Sequence, residues 1–111
     1  MALGDVIPIT TLIDGLKAKV DQLKQTIPID CVFLYGSYAK GCPKEYSDID
    51  LVVVSPAFGK DIIEEGVMLM NAFGDVSIMV EPRAYSREKY EAAEPGTFLH
   101  DEVIKKGIRI C

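Results

Sequence analysis

Two aspartates lie two positions apart at the start of an apolar run, in the stretch Asp48-Ile49-Asp50-Leu51. Residues i and i+2 of a β-strand point to the same face of a sheet, so Asp48 and Asp50 are predicted to project side by side while Ile49 faces the core. Two carboxylates this close repel each other unless a cation lies between them. Mg²⁺ suits such a place, because proteins commonly bind it with one or two carboxylates plus phosphate oxygens and water. The alternative is an acid that caps a turn beside a solvated acid, which is common for so short a pattern.

A glycine-serine pair, Gly36-Ser37, precedes the first of these acids by ten intervening residues and directly follows an apolar run. Glycine lets the backbone turn sharply and approach a ligand closely. The serine hydroxyl and the N–H groups after it can bind a phosphate, although a plain turn is the simpler interpretation of the pair alone. A phosphate-binding turn and metal-binding acids on neighbouring strands together predict transfer of a nucleotidyl group with a divalent metal.

The elements that must position these residues follow from the hydrophobic periodicity. In the first half of the chain the pattern predicts a helix over 11–25, a strand over 31–36, a loop over 37–47 that could begin with a helical turn, and a strand over 48–55. The second half is predicted to contain a helix over 60–74, a strand over 75–82 and a polar helix or turn over 86–96. A last helix is predicted to start at Thr97, with Phe98, Val103 and Ile104 facing inward, and a short strand or tail is predicted after Gly107. This order predicts an α+β fold (an α/β sandwich), in which helices pack on a small mixed β-sheet.

Composition limits the classes of protein that this chain can belong to. Its 111 residues predict a single domain over 1–111, and its 49% apolar content is typical of a globular protein. A formal net charge of −5 argues against extensive nucleic-acid binding, which requires a broad basic face. Three cysteines without a C-x-x-C pair, and no apolar run near the roughly 20 residues of a membrane span, predict a cytoplasmic protein without membrane association.

The spacing of the two motifs resembles a known family signature. Gly-Ser, ten residues, then Asp-x-Asp is similar to the G-S-x₁₀-D-x-D signature of the DNA polymerase β-like nucleotidyltransferase superfamily, whose palm-like fold is then expected here. The stretches "GSYAKG" and "SDIDLVV" are particularly similar to the minimal nucleotidyltransferases, or MNT proteins. The likeness extends over about residues 12–110.

The resemblance implies a role for each matching residue. Asp48 and Asp50 would bind Mg²⁺, with two ions expected when substrate is bound, and would be catalytic. Gly36 and Ser37 would bind the terminal phosphates of ATP or another nucleoside triphosphate, and Lys40 could add a phosphate contact, although a solvated lysine is an equal alternative.

The third carboxylate of the family signature is where this sequence departs. Aligned on the apolar run of the strand predicted over 75–82, Ser77 takes the place of that acid. Asp75 shares the face of Ser77 about 6.5 Å further back along the strand, and Glu81 shares it about 13 Å beyond. Asp75 is therefore the candidate third catalytic acid, reached through a local shift or bulge. The alternatives are a site that operates on two carboxylates, or a protein that has lost catalysis.

The resulting functional hypothesis is a Mg²⁺-dependent nucleotidyltransferase. The resemblance implies that it moves a nucleoside monophosphate, AMP from ATP, to a hydroxyl on a helical HEPN partner protein, as the antitoxin-type subunit of a toxin-antitoxin pair. Assembly with further copies of the chain is compatible with the sequence. The alternative hypothesis is a catalytically degenerate nucleotide-binding or partner-binding module that neutralises a HEPN toxin by forming a complex with it.

Overall fold

The computed structural model describes residues 7–41 and 48–111, so the second half of the predicted loop, 42–47, lies outside the described residues. The elements, in chain order, are α1 (Ile9–Leu23), β1 (Cys31–Tyr35), β2 (Ile49–Ser55), α2 (Ile62–Phe73), β3 (Val80–Ser86), α3 (Arg87–Glu91), the π-helical segment α4 (Leu99–Ile104) and β4 (Ile108–Arg109).

The four strands form one mixed sheet in the spatial order β3-β2-β1-β4. β1 is antiparallel to both β2 and β4, while β3 is parallel to β2 and connected to it through α2. The predicted α+β fold with a small mixed sheet is confirmed. β2 is buried almost throughout because both faces of the sheet are covered around it, which explains why its sequence is a nearly continuous run of β-branched and leucine side chains.

One face of the sheet is closed by α1 and α2. The apolar positions of α1 recur at helical spacing, and Leu12, Leu16 and Val20 are almost completely buried against it. The sheet contributes alternate residues to this core, including Leu34, Ile49, Leu51 and Val53. This layer contains most of the apolar core and fixes the register of β1 and β2.

The opposite face has a smaller cover made by α3 and α4. Its core consists of the other alternate residues of β1 and β2, together with Leu99 and Val103 of α4. Asp50 alternates with Ile49 and Leu51 and therefore lies on this second face. The predicted inward position of Val103 is confirmed and Ile104 packs in part against this core, whereas Phe98 remains 45% exposed.

The third strand begins at Val80, five residues later than predicted. The backbone N–H groups of Val76 and Ser77 both donate to the carbonyl of Phe73, so the chain continues in turns after α2 ends. The predicted strand end at Pro82 is also wrong, because Pro82 lies inside β3. A proline is tolerated there since β3 is an edge strand of the sheet.

Among the residues that the structure describes, no helix is both long enough and apolar enough to cross a bilayer.

Candidate active site

Three residues form a row across one end of the sheet, on the face covered by α3 and α4. In the strand register, Asp50 lies between Tyr35 of β1 and Glu81 of β3. Side chains of register partners project from the same face, and neighbouring strands are about 4.8 Å apart. The fold therefore places the carboxylates of Asp50 and Glu81 side by side, although 30 positions of sequence separate them.

The electrostatic state of Asp50 reflects these neighbours. Partial burial raises the pKa of its carboxyl group above the usual value, and the negative charges of Asp48 and Glu81 raise it further. The guanidinium of Arg83 acts in the opposite direction on the pKa of Asp50. A partly buried carboxylate with two further acids nearby is typical of a place where a cation is expected to bind.

The acidic side chains at this end of the sheet could together bind a divalent cation. Asp48 is exposed and Asp50 is partly buried, so an ion could contact one carboxylate at the surface and one below it. No three acidic, histidine or cysteine side chains within 7–41 and 48–111 converge closely enough to enclose an ion by themselves. Mg²⁺ does not require such a cage, since it commonly retains water and takes oxygens from substrate phosphates.

At Gly36, directly after β1, the backbone passes close to the carboxylate of Asp50. Its φ of +77° lies in the left-handed region, which glycine adopts without strain. A Cβ at this position would collide with Oδ2 of Asp50, so only glycine allows the backbone to pass so close to that carboxylate. The glycine-serine turn and Asp50, ten residues and more apart in sequence, are thus in direct contact.

A helical turn follows Gly36 within the described residues, as the sequence allowed for the start of this loop. The N–H of Lys40 donates to the carbonyl of Gly36 at 3.1 Å, and Tyr38 is buried beneath this turn in the core. Ser37 is half-buried and Lys40 is exposed. Both lie on the turn that begins beside Asp50, where the sequence placed them.

The structure places Asp75 and Ser77 away from this row. Asp75 is exposed in the turn after α2, and its carboxylate accepts a hydrogen bond at 2.8 Å from Nζ of Lys19 on α1. Ser77 lies in the same turn, where its hydroxyl accepts a hydrogen bond from the N–H of Met79 at 3.1 Å. Since α1 packs on the face opposite to Asp50, neither residue is brought to the other acids.

A comparison of the sequence with protein families decides the assignment. The nucleotidyltransferase domain model matches residues 13–105, which is most of the chain. The chain belongs to the nucleotidyltransferase domain family. No curated protein matches this nucleotidyltransferase sequence significantly.

Solved structures share its fold. The crystal structure of an inferred nucleotidyltransferase from Sulfolobus solfataricus superposes with a TM-score of 0.61 at 15% identity, covering 91% of this chain and 80% of that one. A toxin-antitoxin complex crystallised with AMP-PNP gives 0.54 at 24% identity, and a mutant of the MntA-HpeT toxin-antitoxin gives 0.52 at 22%. Each of these two matches covers 86% of this chain and 72% of the other.

Sequence reasoning did not place Glu81 and Arg83 beside Asp50. A signal for both was present, since Glu81 and Arg83 alternate with Val80, Pro82 and Ala84 as exposed and buried residues of a half-buried strand do. The apolar stretch Ile78-Met79-Val80 obscured it, because its hydrophobicity favoured an earlier strand.

Proposed function

We propose that this nucleotidyltransferase uses Mg²⁺ to move AMP from ATP to a hydroxyl group of a partner protein, with Asp48, Asp50 and Glu81 as its catalytic acids. Membership of the family supports transferase activity in general. The observation that carries the more specific proposal is the register of β3, which sets Glu81 beside Asp50. In this proposal Glu81 supplies the third carboxylate, the role that the sequence analysis gave to Asp75.

Each residue of the site has a chemical task in this proposal. Asp48 and Asp50 bind the metal, and bound Mg²⁺ would neutralise charge on the phosphates of the nucleotide. Gly36 lets the backbone approach the triphosphate, while Ser37 and Lys40 lie on the turn where its terminal phosphates would bind. The acids and the phosphate-binding turn therefore face one another across the end of β1 and β2.

The reaction is a displacement at the α-phosphorus of ATP. The oxygen of the acceptor hydroxyl forms a bond to that phosphorus, and the bond from phosphorus to the bridging oxygen breaks. The electron pair of the broken bond leaves with pyrophosphate. Glu81 accepts the proton of the hydroxyl group, which is the role of a general base.

The proposed acceptor is a HEPN-type helical protein, and the chain would be the antitoxin-type subunit. The two structural neighbours described as toxin-antitoxin complexes support this choice, and one of them contains AMP-PNP. The MntA-HpeT variant carries two aspartate-to-glutamate changes two positions apart, the spacing of Asp48 and Asp50.

Transfer of label tests the proposal. The chain is mixed with a purified HEPN-type helical protein and incubated with Mg²⁺ and ATP labelled at the α-phosphate. We expect the partner to become labelled, Asp50→Asn to abolish labelling, and Glu81→Gln to slow it by about 10²–10⁴-fold, as is typical for loss of a general base. Asp75→Asn is the matched control and should label at the wild-type rate.

Two outcomes contradict the proposal in different ways. A wild-type complex that forms but transfers no label excludes the transferase and favours the alternative of a binding module that neutralises its partner without turnover. If Asp75→Asn is as slow as Glu81→Gln, the assignment of the third acid fails while the transferase stands.

A further inference from the structure

Arg83 occupies the next row of the sheet, on the same face as the three acids. It lies two residues beyond Glu81 on β3 and is the register partner of Val52. Its guanidinium carbon is 5.5 Å from the ring centroid of Phe98, the residue that precedes α4. The cation is thus supported by an aromatic ring beside the carboxylate row.

Phe98 is held in place by Tyr35, a residue that lies next to Asp50 in the sheet. Its ring packs edge-to-face on Tyr35, with centroids 5.6 Å apart and planes at 82°, and Tyr35 is the register partner of Asp50. Phe98 is nonetheless 45% exposed, so packing of the core does not account for its position. π-Helical turns such as α4 are rare and occur frequently at functional sites.

The guanidinium N–H groups of Arg83 have no hydrogen-bond acceptor among the described residues. Within residues 7–41 and 48–111, the side chain of Arg83 forms no hydrogen bond and no ion pair, although Asp50 and Glu81 lie in the adjacent row. A guanidinium has five donors in a planar fork that matches the oxygens of a phosphate. Stacking on Phe98 orients this fork and leaves it available to a ligand.

The opposite edge of the sheet shows what an arginine of purely structural role looks like. Arg109 of β4 pairs with Phe33, so that Arg83, Val52, Phe33 and Arg109 lie in one row. Arg109 also lies over an aromatic ring, with its guanidinium carbon 6.0 Å from the Phe33 centroid. Its Nε, however, donates to the carbonyl of Cys111 at 2.8 Å, and the three strand spacings between the two arginines separate it from Arg83 by about 14 Å.

We propose that Arg83, oriented by Phe98, binds a phosphate group of the nucleotide on the β3 side of the site, opposite the turn at Gly36. The inference rests on the proposed function, because it assumes that a nucleoside triphosphate binds at this row. The acids at this end of the sheet repel a triphosphate, so a cation in the adjacent row offsets part of that repulsion. A charge-assisted, bidentate contact also fixes the orientation of the phosphate.

Binding of Mg²⁺-ATP and of Mg²⁺-tripolyphosphate tests the proposal. Tripolyphosphate contains the phosphates and lacks the base and the ribose. We expect Arg83→Gln to weaken both ligands by the same factor of about tenfold or more, since hydrogen bonds to charged groups are among the stronger ones. Phe98→Leu retains the charge and should weaken both ligands less than Arg83→Gln does.

Arg109→Gln is the matched control, because it also removes one positive charge stacked on an aromatic ring in the same row. It should leave both affinities unchanged. The proposal is overturned if Arg83→Gln changes neither affinity, or if it weakens ATP but not tripolyphosphate, which would indicate a contact to the base or ribose.

Failure of the inference is distinguishable from failure of the proposed function. A wild-type protein that binds neither ligand with Mg²⁺ contradicts both. A wild-type protein that binds both ligands, with an Arg83→Gln variant of equal affinity, contradicts only the role of Arg83. Thermal unfolding of each variant shows whether the fold is retained, which is expected because Arg83 is exposed.

Discussion

Asp75 and Asp50 are two aspartates of one small protein in opposite electrostatic situations. Asp75 lies on the layer of α1 and α2 and is paired with Lys19, which lowers the pKa of its carboxyl group. Asp50 lies on the other layer, where partial burial and then the charges of Asp48 and Glu81 raise the pKa of its carboxyl group. The first aspartate contributes a solvent-exposed ion pair, whereas the second is kept at a cost in stability that a bound cation would remove. The difference supports the proposal that Asp50, and not Asp75, binds the metal ion.

The sharpest way to break this comparison is to add the cation. Mg²⁺ at about 100 times its dissociation constant should raise the free energy of unfolding of the wild-type protein by about 2.7 kcal/mol, because it binds only the folded state. Asp50→Asn should lose this stabilisation and Asp75→Asn should retain it. Urea unfolding with and without Mg²⁺ measures the effect. Equal stabilisation of both variants would mean that the ion binds elsewhere.

Glycine substitutions sharpen the comparison by testing how closely the backbone approaches Asp50. Gly36 and Gly41 have nearly the same φ, +77° and +75°, but a Cβ on Gly41 would meet none of the described residues within 4 Å. Gly41→Ala should therefore cost about 1 kcal/mol of strain, whereas Gly36→Ala must also displace the Asp50 carboxylate and should cost about 2 kcal/mol or more. The two variants are compared by urea unfolding. Equal losses would show that Asp50 moves aside freely.

The smallest effect concerns the pH dependence of stability in the metal-free protein. The folded-state pKa of Asp50 is raised, so its contribution favours folding at low pH and declines as pH rises above the unfolded value of about 3.9. Asp50→Asn should remove this decline and raise the free energy of unfolding at pH 7 by about 0.5 kcal/mol, since solvent screens partly exposed charges.

Asp75 should behave in the opposite sense. Its folded-state pKa is lowered, so its contribution is present above about pH 3.9 and is lost as the pH falls through the folded value. Asp75→Asn should slightly destabilise the protein at pH 7. Thermal unfolding of the wild-type protein and of both variants between pH 3 and pH 7 gives, for each variant, the pH dependence of its difference in stability from the wild type. Differences that change in the same direction with pH would refute the assignment of opposite environments.

Much of the fold could be predicted because its strongest patterns are local. The apolar spacing of α1 and the β-branched run of β2 each depend on one burial environment, and both elements lie within two residues of their predicted ends. β3 was misplaced because the residues before Val80 are as apolar as a strand. Backbone hydrogen bonds to Phe73 determine that they form turns, and the local sequence carries no mark of those bonds.

The candidate site divides in the same way. Asp48, Asp50 and Gly36 were predicted from spacing within one short segment, and the structure adds that Gly36 is in contact with the carboxylate of Asp50. The alternation of β3 indicated the face of Glu81, but its place directly beside Asp50 could not be predicted, because it depends on the register of two strands joined through α2. The pairing register of β2 and β3 decides which residue of β3 lies opposite Asp50, and the residues of β3 do not specify that register by themselves.

The sequence by itself determined that this chain carries a metal-compatible pair of acids one loop after a glycine-serine turn, on an α+β framework. Those features depend on side chains that are close in sequence, where strand periodicity and glycine geometry operate. Only the tertiary structure decided that the carboxylate of Glu81 and the guanidinium of Arg83 lie near this pair of acids, since both residues belong to a separate strand. Their partners are set by sheet register, and register follows from the packing of the whole core.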